Sequence, residues 1–271
     1  MELINDKNEV YLRIEKVKKN NIKYITNFFI DYEKLEEWIK EKSLFYIEDR
    51  NGLLFFRKKY NFFYLYYCCS SLQDIKYLLT DHSSSILCVV DLIGKFENIE
   101  PISDIFSNYG FNIYNQLDRY SRINNIGDNY YQFYSNVELA EMNQADKITE
   151  MLHVSFDKFV EQLYTIEEVK KLIQTEKILL IKDNETLKGF LIRNKLPQST
   201  TLLNFLVNPN FRGEKIGSKL IKHYIYESKE TKRMWLWVKN ENKHAIDVYL
   251  NHGYKFDGLV DIIMINNKQN E

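Results

Sequence analysis

Apolar positions along the chain recur at two spacings, every second residue or every third to fourth, and the switches between them mark the expected elements. Residues 44–49 and 53–58 are short aromatic and aliphatic runs around Arg50-Asn51-Gly52, which predicts a β-hairpin. Residues 62–69 are apolar on both faces and suit a buried central strand, after which 72–79 carry helical spacing with Ser70 or Ser71 as cap. Residues 86–93, apolar except for Asp91, predict another strand, 101–109 a short helix opened by Pro101 and stopped at Gly110, and 112–122 a half-buried strand.

Between 124 and 136 the pattern lapses into Asn-Asn-Ile-Gly-Asp-Asn followed by an aromatic cluster, which reads as a connection and puts a domain boundary near residue 130. Beyond it the pattern predicts a strand at 137–142, helices at 145–156 and 166–175, and strands at 178–182, 187–193 and 201–207. A helix at 216–227, a strand at 234–239, a helix at 243–252 ending at Gly253, and strands at 255–257 and 260–265 follow. Both halves run hairpin, strand, helix, strand, helix, aromatic after glycine, strand, which suggests an ancient duplication.

A length of 271 residues supports two domains, 1–130 and 131–271, both of mixed α/β class. Apolar residues are 45% and charged ones 28%, enough for folded cores. A net charge of −1 supplies no field to draw the molecule onto nucleic acid or an acidic membrane, so neither is expected as a partner. No apolar run approaches the ~20 residues of a bilayer span and none opens the chain as a signal, so a cytoplasmic protein is expected. Cys68, Cys69 and Cys88 have no metal-ligand spacing, and no metal is expected; they read as reduced core thiols. Abundant Tyr, Phe, Asn, Lys and Ile point to an AT-rich bacterial genome.

The strongest chemical signal is Leu206-Val207-Asn208-Pro209-Asn210-Phe211-Arg212-Gly213-Glu214-Lys215-Ile216-Gly217-Ser218, where a strand passes through a tight loop into a helix. Free backbone N–H groups and the helix dipole make such an N-terminus a site for pyrophosphate, and glycines let an anion approach the main chain. The plainer alternative is a turn whose glycines only permit close packing. Downstream, Asn242 stands where it can cap a helix that carries Ala245, Val248, Tyr249 and His252 on one stripe. Trp235 and Trp237 alternate on one strand face, where they either line an aromatic pocket or fill the core.

In the spacing of Val207, Pro209, Arg212, Gly213, Gly217, Asn242, Ala245, Tyr249, Gly253 and Tyr254, residues 136–266 resemble the GNAT superfamily of N-acetyltransferases. The resemblance implies an acyl-CoA N-acyltransferase fold with acetyl-CoA as co-substrate and an amine as acceptor. It implies that Phe205, Leu206 and Val207 pair with the pantetheine arm and that the amides of Arg212, Gly213, Glu214, Lys215, Ile216, Gly217 and Ser218 hold the pyrophosphate. Tyr249 is carried over as the general acid for the departing thiolate, and Asn242 as a pantetheine contact. Two positions depart from the family pattern. Lys215 replaces the first glycine of R-x-x-G-x-G and is compatible with right-handed helical geometry at a first turn, and Thr201 stands where some members place a glutamate base.

The first half resembles a degenerate copy of the same fold, giving a tandem architecture. Phe106 precedes Gly110 as Tyr249 precedes Gly253 but lacks a hydroxyl, and Cys68-Cys69-Ser70-Ser71 offers no glycine for phosphate, so no CoA is expected there. Direct acetyl transfer to a primary amine of a small molecule or peptide is the leading expectation, and a catalytically silent acyl-CoA-binding or peptide-binding protein is the rival. Sequence leaves a homodimer open.

Overall fold

The computed structural model describes residues 1–19, 24–49, 51–81, 86–124 and 131–266. The elements run β1 (Glu2–Leu3), α1 (Lys7–Lys19), β2 (Ile25–Thr26), α2 (Tyr32–Lys40), β3 (Leu44–Asp49), β4 (Gly52–Lys59), β5 (Phe62–Cys69), α3 (Leu72–Asp81), β6 (Cys88–Gly94), α4 (Phe96–Asn108) and β7 (Asn112–Ile123). Then come β8 (Glu138–Leu139), a 3-10 turn at Met142–Gln144, α5 (Ala145–Ser155), α6 (Ile166–Gln174), β9 (Ile178–Asp183), β10 (Thr186–Lys195) and β11 (Ser199–Val207). A 3-10 turn at Pro209–Phe211, α7 (Ile216–Glu227), β12 (Arg233–Lys239), α8 (Lys243–Asn251) and β13 (Lys255–Ile265) complete the chain. The class is mixed α/β, as the periodicities predict.

Two compact units result, one of Met1–Leu117 with Gly258–Glu271 and one of Asp118–Asp257. The expected boundary at residue 130 falls among residues 125–130, which lie outside the described residues. The observed division is interleaved: the chain changes unit within β7 and again within β13.

In the first unit the strand order is β1-β3-β4-β5-β6-β13. The β3–β4 hairpin is in register from Leu44↔Arg57 to Asp49↔Gly52, and β13 closes the sheet against β6, from Val260↔Gly94 to Ile265↔Val89. Helices α3 and α4 bury Ile75, Leu78, Ile99, Ile102, Ile105 and Phe106 on this sheet. Helix α4 starts at Phe96, with Pro101 inside it rather than at its first position. The five preceding residues bury Ile99 against the sheet, a gain that outweighs the single backbone hydrogen bond proline forfeits.

In the second unit the order is β12-β11-β10-β9-β8, with the end of β7 beside β12. One face is covered by α5 and α6 through Ile148, Leu152, Val169 and Ile173, and the other by α7 and α8 through Ile216, Leu220, Tyr224, Ile246 and Tyr249. The capping box at Thr165 and Glu168 starts α6. The expected strand at 137–142 shortens to Glu138–Leu139 because Glu141 and Gln144 form a second capping box ahead of α5.

Candidate active site

Strand β11 pairs with β10 from Thr200 to Val207, but with β12 only from Ser199↔Arg233 to Leu202↔Leu236. Beyond Leu202 the two parallel strands part, so the β12-side edge of residues 203–207 has no strand partner among the described residues. Such an edge presents N–H and C=O groups to an extended ligand, which can add to the sheet as another strand would. Phe205, Leu206 and Val207, all half-buried, lie along it.

At the end of β11 the chain is pinned and then turned. The Asn208 N–H bonds to the Lys188 carbonyl at 2.9 Å, and its side-chain oxygen accepts from the Asn210 N–H at 3.1 Å. Lys188 bonds Glu214 at 3.1 Å and lies 5.0 Å from the centre of the Phe211 ring, which ties the loop to β10. From Arg212, still extended, the chain passes through Gly213 at φ +90 and Lys215 at φ 60, ψ 18 before α7 begins. Lys215 is therefore not in right-handed helical geometry as the sequence suggests. It occupies the left-handed region because the chain must reverse within one residue to aim the first turn of α7, and a non-glycine pays about 1–2 kcal/mol for that conformation.

The amides of Gly213 and Lys215 meet no backbone acceptor among the described residues, and those of Ile216, Gly217 and Ser218 belong to the first helical turn, where no intrahelical acceptor exists. These five donors, with the exposed side chains of Arg212 and Lys215, form a cationic cradle. Two glycines bring it close to β11. A Cβ on Gly217 would lie 3.2 Å from Val207 Cγ2 and 3.4 Å from Phe205 Cζ, and one on Gly189 would lie 2.9 Å from the Leu206 carbonyl oxygen. Sequence reading passed over Gly189, whose signal was a lone glycine inside an otherwise apolar strand.

Helix α8 carries the remaining candidates. The Asn242 side-chain oxygen accepts from the Ala245 N–H at 3.1 Å and caps the helix, leaving its amide NH₂ as the group available to a ligand. Tyr249 is 7% exposed within the α7–α8 core, its ring edge-on to Tyr254 at 5.9 Å. Burial pushes its phenol pKa up, and the charge of Glu161, on the α5–α6 connection, adds to the rise. Glu161 had no motif to single it out.

Thr201, at the position where some members place the glutamate base, is buried within the β11–β12 ladder and cannot replace it. The pKa of His252 is lowered by burial while Nδ1 lies 2.8 Å from the Val248 carbonyl, and His244 and Glu241 are exposed. Trp235 and Trp237 neither join the core nor stand open. Both are half-buried under the Arg119 guanidinium, 5.7 and 5.8 Å from their ring centres, and Arg119 is held by Asp257 at 2.9 Å.

Residues 145–254 match the family model described as acetyltransferase (GNAT) family. No curated protein matches the chain. Among solved structures, an acetyltransferase from the GNAT family of Colwellia psychrerythraea covers 97% of this chain and 98% of its own, with a TM-score of 0.55 at 12% identity. A GCN5-related N-acetyltransferase from Sphaerobacter thermophilus covers 85% and 84%, with a TM-score of 0.57 at 11% identity. A tandem GNAT protein from the clavulanic acid biosynthesis pathway covers 79% and 78%, with a TM-score of 0.54 at 9% identity. At these identities the likeness is one of fold, and it extends over both units. The chain has the fold of the GNAT acetyltransferases, a tandem one included, and its residues 145–254 carry the match to that family's model.

Proposed function

We propose that this protein transfers an acetyl group from acetyl-CoA directly to a primary amine of a small molecule or peptide. The observation that carries the reading is the parting of β11 from β12 after Leu202, next to a glycine-turned helix N-terminus with free amides. Pantetheine lies along Phe205, Leu206 and Val207, and the Asn242 NH₂ meets the pantetheine side; the pyrophosphate sits on the amides of Gly213, Lys215, Ile216, Gly217 and Ser218, because those of Arg212 and Glu214, expected to join them, are bonded to the Pro209 and Phe211 carbonyls.

The amine nitrogen attacks the thioester carbon, and a β11 amide stabilises the oxyanion of the tetrahedral intermediate. The carbon–sulfur bond then breaks, the sulfur takes the Tyr249 proton, and the attacking nitrogen gives its proton to solvent. A raised phenol pKa keeps Tyr249 protonated at neutral pH, and the same enclosure raises the proton affinity of the departing thiolate. The charge of Glu161 near Tyr249 suits an acceptor that arrives as an ammonium. The buried thiols Cys68, Cys69 and Cys88 fit a reducing compartment, and we place the protein in the cytoplasm.

Tyr249→Phe tests the chemistry: turnover measured by thiol release should fall by roughly 10²-fold with acetyl-CoA affinity unchanged by calorimetry. Unchanged turnover removes Tyr249 from the acid role, and no uptake of any CoA species ends the enzyme reading. The second reading, a silent acyl-CoA binder, is favoured by the lysine at position 215, and CoA uptake without thiol release across an amine panel would establish it.

A further inference from the structure

The first unit contains the same parting of strands, and there the gap is filled by the protein itself. Strand β5 pairs with β4 over its whole length, from Gly52↔Cys69 to Lys59↔Phe62, but with the parallel β6 only from Phe63↔Cys88 to Leu65↔Val90. Past Leu65 the free edge of β5 is taken by β2, through Ile25↔Cys69 and Thr26↔Cys68. Asn27 follows and wedges between the two parting strands. Its side-chain oxygen accepts from the Tyr67 N–H at 2.7 Å, and its side-chain NH₂ donates to the Leu65 carbonyl at 3.3 Å and, across the gap, to the Asp91 carbonyl at 3.0 Å. The Asn27 backbone N–H and the Thr26 hydroxyl both donate to the Tyr67 carbonyl, at 3.3 and 2.7 Å. Phe28 stacks on Phe55 at 4.4 Å and meets Tyr66 edge-on at 5.5 Å, which fixes the segment from the other side.

The helix that would line this gap repeats the geometry around Tyr249. In α4 and after it, the Phe111 N–H bonds to the Phe106 carbonyl at 3.1 Å, Gly110 sits at φ +84, and the Phe106 and Phe111 rings meet edge-on at 5.0 Å. In α8 the Tyr254 N–H bonds to the Tyr249 carbonyl at 3.1 Å, Gly253 sits at φ +80, and the two rings meet edge-on at 5.9 Å. The two units thus share strand parting and helix ending, and differ in what lies in the slot.

We infer that residues 25–27 are an intramolecular occupant of the first unit's slot, hydrogen-bonded to the β5 edge as an extended ligand would be, so the protein holds one acyl-CoA per chain. Asn27 is 8% exposed and has both side-chain polar atoms bonded, so its removal leaves the Tyr67 N–H without an acceptor inside the fold. The comparison with the second unit rests on reading the open β11 edge as the pantetheine slot.

Amide exchange of the ¹⁵N-labelled full chain, followed by NMR with and without acetyl-CoA, tests both parts. The Tyr67 amide should be protected at least ~100-fold in the free protein and be unchanged by acetyl-CoA, and Asn27→Ala should speed its exchange by at least ~10-fold. Calorimetry should give one equivalent of acetyl-CoA per chain. Fast exchange at Tyr67 in the free protein, protection there that appears only with acetyl-CoA, or two equivalents bound would overturn the inference. If Tyr67 is protected while acetyl-CoA leaves residues 203–207 unmoved, the plug stands and the acyl-CoA reading of β11 falls.

Discussion

Lys215 holds a backbone conformation that glycine adopts without strain. Lys215→Gly should raise stability by about 1 kcal/mol, the relief of left-handed strain less the added chain entropy of glycine, and a thermal melt measures it. Glu227 offers a pH test. His223 accepts the Tyr134 N–H on Nδ1 at 3.1 Å, which leaves its Nε2 proton to donate to Glu227 at 3.3 Å. That bond, with Arg193 adding its charge, holds the Glu227 carboxyl down at about 2 against an ordinary 4.5. A folded pKa below the unfolded one stabilises the fold above the ordinary carboxylate range, and that contribution is lost as pH falls from about 4.5 toward 2. Denaturant melts should therefore show wild type losing more stability over that window than Glu227→Gln. The residues of the loop ahead of α7 and Tyr249 could be picked out in sequence because their spacing repeats a known pattern. The conformation of Lys215 and the charge of Glu161 acting on Tyr249 could not, since one is set by a chain reversal and the other acts across 88 positions of sequence.

At the scale of elements, α8 depends on one cap. Asn242→Ala removes the side-chain acceptor that caps its first turn and should cost about 1 kcal/mol, read from a denaturant melt. The strands from β3 to β6 and from β9 to β12 were legible within a residue or two because alternation and turn residues agree there. Helices α1 and α2 were not. Helix α1 buries only Val10 and Val17, one contact per two turns, too sparse a stripe to stand out from a polar background. Helix α4 hid its first five residues because proline usually marks a first turn, and here burial of Ile99 outweighs that preference.

The interleaved division governs how the whole molecule can be cut. A fragment of residues 131–271 loses residues 118–123 from the second unit and carries residues 258–265 without β6, their partner in the first. It should fail to give a cooperative unfolding transition, where the full chain gives one, and circular dichroism during thermal melting checks this. Periodicity could not reveal the interleaving, because alternation says that β13 is a strand and nothing about which sheet it joins. The same arrangement constrains biosynthesis. With Val89, Val90 and Leu92 awaiting residues 260–265, the N-terminal sheet stays one strand short until those residues have left the ribosome, and the apolar edge of β6 must be kept from foreign strands for that whole interval.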